Sequence, residues 1–148
     1  MRIALFQPDI AGNTGTILRT AACLGAGVDV IEPAGFAWSA RALARAGMDY
    51  AETVDVMRHA DWDAFRRARS GRLVLLTTAG AVDLPQARFQ DDDVLLLGSE
   101  GGGVPPYVHA AADMRVRIPM RAGFRSLNVA VAGAIVLAEA LRQTRWPS

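Results

Sequence analysis

The sequence contains no lysine: all 16 basic residues are arginine. Any anion held by side-chain charge must therefore be held by guanidinium, which can fork onto phosphate or carboxylate in a bidentate way. A single cysteine, Cys23, excludes an intramolecular disulfide and suits a reducing compartment. His59 and His109 are too few and too far apart for a metal cluster, so no metal site is expected. Charge of one sign is not in excess. Sixteen basic against 15 acidic residues leave a net charge of +1, which excludes a strongly basic nucleic-acid binder but not a local basic patch. Long apolar runs are missing too. The longest, Val129–Ala138, is too short to cross a bilayer, and Met1–Phe6 enters a strand-like run with no secretory pattern, so a cytoplasmic protein is expected. Aromatics make up only 7%, and Trp38, Trp62 and Trp146 are expected in packing rather than as base-stacking platforms.

What remains is a folded globular chain of 148 residues, 51% hydrophobic and 21% charged, expected to form one domain over 1–148. Strands and helices alternate along it. Ile3–Phe6 reads as a strand. Asn13 or Thr14 caps a helix to about Leu24, with Ile17, Leu18, Ala21 and Ala22 on its apolar stripe. Val28–Ile31 is a second strand. A short helix from Ser39 to Ala46 carries Arg41 and Arg45 one turn apart, and Val54–Val56 is a minor strand. Asp61 opens an amphipathic helix with Trp62, Phe65 and Ala68 inward and Arg66, Arg67 and Arg69 outward. A strand within Arg72–Thr78 follows, then a polar connection over Gly80–Asp92. Val94–Leu97 is a strand buried on both faces, Pro106–Ala112 a helix, Met114–Ile118 a strand and Leu127–Arg142 the last helix. Such alternation predicts an α/β fold, a mostly parallel sheet with helices on both faces. The last helix is apolar all round from Val129 to Ala138. That pattern fits burial on two sides, against its own sheet and either a second copy of the chain or a long loop, the second copy being the simpler partner.

The organising stretch is Val94–Pro106, VLLLGSEGGGVPP. A glycine-rich turn at a strand's carboxyl end lets a ligand approach the backbone, and open α/β sheets bind ligands at such ends. It is not a P-loop, because Val104 stands where the lysine would be, and Ser99-Glu100 break the Rossmann spacing. Two further stretches could converge on it. In Asn13–Arg19, Asn13 stands at a helix start as a cap, and Arg19 lies beside the apolar stripe, either solvated or anchoring an anion. In Pro119–Asn128, Arg121 and Arg125 precede a helix N-terminus suited to anions, with Ser126 and Asn128 as caps. Arg41 and Arg45 are a solvated face or a contact for an anionic partner. Together the loops suggest a site for a nucleotide-like cofactor and an anionic substrate, and no particular reaction.

The three stretches in order resemble a known family. Asn13-Thr-Gly-x-Ile-x-Arg19, Leu97-Gly98-x-Glu100-Gly-x-Gly103-Val-Pro105, and Ile118-Pro119-Met120 with Ser126-Leu127-Asn128-Val129 are similar to the motifs of SPOUT-superfamily RNA ribose 2′-O-methyltransferases of the TrmH-like branch. The match runs over nearly the whole chain. Short length, Glu32-Pro33-x-Gly35-Phe36-Ala37-Trp38 and Arg45-Ala-Gly47-Met48-Asp49-Tyr50 resemble the minimal TrmL type, which methylates the ribose of the wobble nucleotide 34 of certain tRNAs. The resemblance implies a C-terminal trefoil knot, a homodimer joined through the last helix, and a site combining both chains. The cofactor implied is S-adenosyl-L-methionine, held by Leu76, Thr77, Gly98, Glu100, Gly101, Gly103, Ile118, Met120, Ser126 and Leu127. It implies catalytic roles for Arg19, Asn13, Ser126 and Asn128, with Arg41, Arg45, Arg121 and Arg125 toward the tRNA anticodon loop. Two positions depart from the pattern: Ala130 where relatives often carry serine, and Gly102 where this branch often carries arginine. The alternatives are methylation of another tRNA or ribosomal RNA ribose, and a non-catalytic RNA-binding dimer on the same fold.

Overall fold

The computed structural model describes residues 1–39, 41, 54–79 and 82–146. The expected helix from Ser39 to Ala46 and Arg45 therefore lie largely outside the described residues. Seven strands form one sheet in the order β3-β2-β1-β6-β4-β7-β5, with every neighbouring pair parallel. They are β1 (Arg2–Phe6), β2 (Gly27–Ile31), β3 (Val56–His59), β4 (Leu73–Leu76), β5 (Val82–Asp83), β6 (Val94–Leu97) and β7 (Met114–Arg117). The helices with both ends among the described residues are α1 (Ala11–Leu24), α2 (Trp62–Ala68), α3 (Pro106–Ala111) and α4 (Val129–Gln143). A mostly parallel α/β sheet was the expectation, and it holds.

Period-two alternation divides each central strand between two cores. Ile3, Leu5, Leu95 and Leu97 join Ile17 and Leu18 of α1 and Val136 and Leu137 of α4. Ala4, Phe6, Leu75 and Leu96 join Trp62 and Phe65 of α2 and Val108 of α3. All four residues of β6 are buried because helices cover both faces, as its unbroken apolar run predicts. Each buried leucine or isoleucine adds about 1.5–3 kcal/mol of burial free energy.

Several boundaries differ from the sequence expectation. Helix α1 starts at Ala11, with Ile10 as a cap residue that makes no side-chain bond. Asn13 and Thr14 lie inside the helix, Asn13 with its side chain bonded to Asn128 and Thr14 fully buried. The minor strand runs Val56–His59 rather than Val54–Val56, in register with Val28–Ile31. The polar connection holds β5 and a 3-10 turn, Leu84–Gln86. Asp61 does cap α2, accepting the Ala64 N–H at 2.8 Å, but Ala68 ends the helix and is exposed. Trp146 is exposed as well, whereas Trp62 packs against Phe6 and Phe65 and Trp38 stacks on Phe36. The last helix is not enclosed within this chain. Ala130, Gly133, Val136, Leu137, Ala140 and Leu141 are buried, while Val131 and Ile135 are exposed.

One polar cluster crosses the sheet edge. The buried Asp29 carboxylate accepts Arg2 Nε at 2.7 Å and lies 2.8 Å from His59 Nε2, linking β1, β2 and β3.

Candidate functional site

The parallel register brings the carboxyl ends of the central strands together. Leu5 and Leu76 both pair with Leu97, and Leu76 also pairs with Val116. The segments leaving those ends enclose a cavity of about 900 Å³, within the range of roughly 300–1,000 Å³ for small-molecule sites. Its walls come from the chain after β1, after β4, after β6 and after β7.

The glycine loop folds back on itself. Ser99 and Gly103 exchange backbone hydrogen bonds, Ser99 N–H to Gly103 O at 3.0 Å and Gly103 N–H to Ser99 O at 2.9 Å. Gly98 must be glycine for this closure, since a Cβ there would stand 2.7 Å from the Gly103 carbonyl carbon. The loop is then tied to the segment after β1. Glu100 Oε2 accepts the Asp9 backbone N–H at 2.7 Å, and Asp9 Oδ2 accepts the Gly101 N–H at 3.1 Å.

On the other side, Asn128 joins two helix starts. Its Oδ1 accepts the Ala130 and Val131 N–H groups at 2.9 and 3.2 Å, capping α4, and its Nδ2 donates to Asn13 Oδ1 at 3.0 Å. Sequence reasoning offered Ser126 or Asn128 as the cap, and Asn128 takes it. The starts of α1 and α4 thus both face the cavity, each bringing the partial positive end of its helix dipole. Residues 121–128 are all exposed, with Phe124 at 71%.

The expected site residues divide as follows. Asn13, Leu76, Thr77, Gly98, Glu100, Gly103, Ile118, Met120, Arg125, Ser126, Leu127 and Asn128 line the cavity. Gly101 points its N–H at Asp9. Arg19 is exposed on α1 and Arg121 on the loop, both outside this chain's cavity lining, and Arg41 is exposed. The structure adds Ile10, Thr78, Arg117, Phe124 and Ala132 to the lining. Arg117 directly precedes Ile118 at a strand's carboxyl end, a place where a charged side chain reads as a candidate. It bonds Asp83 at 2.6 Å on the rim.

The donor set suits a ligand part apolar and part polar. Leu76, Leu97, Ile118 and Leu127 supply apolar wall, Thr77, Ser99 and Ser126 hydroxyls, Glu100 a carboxylate and Arg125 a guanidinium. An adenosine carrying a charged amino-acid tail asks for this combination, and the volume accommodates one. Among the described residues no group of three His, Cys, Asp or Glu side chains is placed to hold a metal ion.

Comparison with known proteins agrees with this geometry. Residues 1–138 match the SpoU rRNA methylase family. A tRNA (cytidine(34)-2′-O)-methyltransferase of Ancylobacter novellus is 52% identical over 97% of this chain and 93% of its own length. The Escherichia coli K12 protein of the same name is 41% identical over 99% and 96%. A structure described as giving insight into 2-OH methylation of C/U34 on tRNA superposes with a TM-score of 0.91, at 40% identity, over 96% of this chain and 94% of that one. The SpoU methyltransferase AviRb of Streptomyces viridochromogenes, bound to AdoMet, superposes at 0.83 with 28% identity, over 97% of this chain and 57% of that one. By the extent of the family match and the identity to these relatives, the chain belongs to the SpoU rRNA methylase family.

Proposed function

We propose that this chain is a methyltransferase that uses S-adenosyl-L-methionine to methylate the ribose 2′-oxygen of nucleotide 34, cytidine or modified uridine, in tRNA. The observation that carries the reading is the cavity built by Gly98–Gly103 and the Ile118–Val129 segment, in a chain 52% identical to a tRNA (cytidine(34)-2′-O)-methyltransferase. Ribosomal RNA relatives are less similar: the Sinorhizobium meliloti rRNA methyltransferase is 33% identical, and this chain covers 55% of it. The whole of 1–148 serves as one such domain, threaded as a C-terminal trefoil knot and working in the cytoplasm.

When bound, the cofactor supplies an electrophilic methyl group on a sulfonium. The chain's residues do the rest. Leu76, Ile118, Met120 and Leu127 would shield the adenosine, while Thr77, the Gly98–Gly103 backbone and Ser126 would meet its polar edges. Asn13 and Asn128, bonded to each other, set the glycine-loop side against the RNA side. Arg19 holds the ribose hydroxyl and a neighbouring phosphate. Its guanidinium carries donors and no acceptor, so it orients the hydroxyl rather than removing its proton, and the phosphate takes that proton. With the cofactor bound, these residues would hold the hydroxyl oxygen within reach of the methyl group, and that positioning would supply much of the rate.

Arg19 lies outside this chain's cavity, and α4 exposes Val131 and Ile135. Both features support a homodimer paired through α4, in which Arg19 of one copy serves the cavity of the other. Arg121 and Arg125, with Arg41 and Arg45, meet the anticodon loop.

Incubation with labelled S-adenosyl-L-methionine and unmodified tRNA, followed by digestion, tests the reading. A 2′-O-methylated pyrimidine from position 34 is expected. Label at another ribose moves the substrate, and no transfer to any RNA ends the enzyme reading. Arg19→Ala and Arg19→Lys should both lose most turnover; near-normal turnover removes Arg19 from the site.

A further inference from the structure

We infer that Asp9 is a positioning residue for methyl transfer, latching the glycine loop to the start of α1; the inference rests on the cofactor reading above. Asp9 lies 91 positions from Glu100 in the chain, yet it bonds Glu100 and its neighbour Gly101 once each, in opposite senses. The Asp9 N–H donates to Glu100 Oε2 at 2.7 Å, and the Gly101 N–H donates to Asp9 Oδ2 at 3.1 Å. Both acceptors are carboxylates, so both bonds are of the stronger, charge-assisted kind.

The surroundings are shaped around this contact. Gln7, just after β1, has φ of 44°, a left-handed conformation that a residue with a side chain adopts only at some cost. Its N–H still bonds Ile31 O at 2.9 Å, so this conformation is pinned to β2 as the chain turns toward Asp9. The Gly35 N–H donates to Pro8 O at 2.8 Å, bracing the segment from behind. At Gly101 a Cβ would stand 3.2 Å from Asp9 Oδ2, so a side chain there would crowd the latch. The segment then runs through Ile10 into α1, where Asn13 bonds Asn128.

Two consequences follow. Glu100 Oε2 is committed to the Asp9 backbone, which fixes this carboxylate at the cavity wall. In addition, the glycine loop, α1 start and α4 start are linked: Gly101 to Asp9 by a hydrogen bond, Asp9 to Asn13 along the chain, and Asn13 to Asn128 by a hydrogen bond. Displacing the loop from that linkage misplaces the cofactor relative to the ribose.

The test separates geometry from stability. Asp9 is exposed, so truncating it opens no core cavity. Asp9→Ala and Asp9→Ser remove the acceptor for Gly101, and Asp9→Asn keeps an acceptor of similar reach. Calorimetry gives the S-adenosyl-L-methionine dissociation constant, steady-state assays with tRNA give kcat and KM, and thermal unfolding gives Tm. Asp9→Ala and Asp9→Ser should each weaken cofactor binding and lower kcat by about tenfold, the size of one hydrogen bond to a charged group. KM for tRNA should change far less, and Asp9→Asn should recover most of both losses. Wild-type cofactor affinity and kcat in Asp9→Ala and Asp9→Ser, with only Tm lowered, would overturn the inference. A wild-type protein that binds the cofactor without methylating tRNA would sink the substrate reading alone, because the affinity series still decides the role of Asp9.

Discussion

Gly102 stands where arginine is common in this branch, and its surroundings leave room for one. A Cβ at Gly102 would lie 3.7 Å from Ser99 Oγ, an ordinary contact, and the residue is exposed. Gly102→Arg should therefore fold normally and add one phosphate contact. A filter-binding salt titration should show tighter tRNA binding and a log–log slope steeper by about 0.7–0.9. An unchanged slope would mean that the glycine loop does not face RNA. Ala130 differs in kind. It is 4% exposed under the first turn of α4, so its methyl group is packed rather than presented to a ligand. Asn128 carries two roles that substitution can separate. Asn128→Asp keeps the oxygen that caps α4 but loses the Nδ2 donor to Asn13. It should melt within a degree or two of wild type and yet lose turnover, whereas Asn128→Ala loses both.

At the scale of elements, α4 depends on that cap. Removing it in Asn128→Ala should cost about 1 kcal/mol, or about 3 °C in Tm, by differential scanning calorimetry. The other end of α4 is fastened by Gln143, whose amide accepts the Phe89 N–H and donates to Ala87 O, holding the connection before β6. Nearby Glu139 is held down to about pKa 2 by hydrogen bonds from Arg142 and Gln143. Because the folded pKa is depressed, its contribution is present above pH 4.5 and is lost as pH falls toward 2. At the opposite sheet edge, Asp29 is the shared acceptor of Arg2 and His59. Asp29→Ala leaves the buried His59 imidazole unpaired and Arg2 with Asp55 as its remaining carboxylate, and should cost about 1–3 kcal/mol in urea unfolding. Faster amide exchange should appear first in β3. A loss below 1 kcal/mol would show that solvent replaces the pair.

For the whole molecule, the exposed side of α4 is the decisive surface. Val131 is 48% and Ile135 38% exposed, on a helix whose other side is buried. Ile135→Arg leaves the buried face untouched, so the chain should stay folded, and if the proposed homodimer pairs through α4, sedimentation should show monomers in place of dimers. If Arg19 serves the partner's cavity, methyl transfer should fall with the dimer. Full activity in a monomer would return Arg19 to its own chain and end the shared-site reading. No helix among the described residues is long and apolar enough to cross a membrane.

Much of this was legible in the residues. The apolar run Val94–Leu97, the alternation of strands and helices, and the glycines after β6 follow from local chemistry, and each sits where its pattern predicts. The three motif stretches could be named because their residue types recur at fixed spacing. Partnership between distant segments could not be read the same way. Asn13 looked like a helix cap because local rules see only the next turn, yet its side chain is taken by Asn128, 115 residues away. Glu100 read as a cofactor ligand, and nothing near Asp9 announced their bond. The all-apolar last helix signalled two buried sides, but only packing against α1 and β6 decided which side this chain keeps and which it leaves open. Sequence determines what each segment can form because propensity and periodicity are local. Tertiary structure alone decides which hydrogen-bonding groups meet, because that depends on the sheet order bringing β1, β6, β4 and β7 side by side.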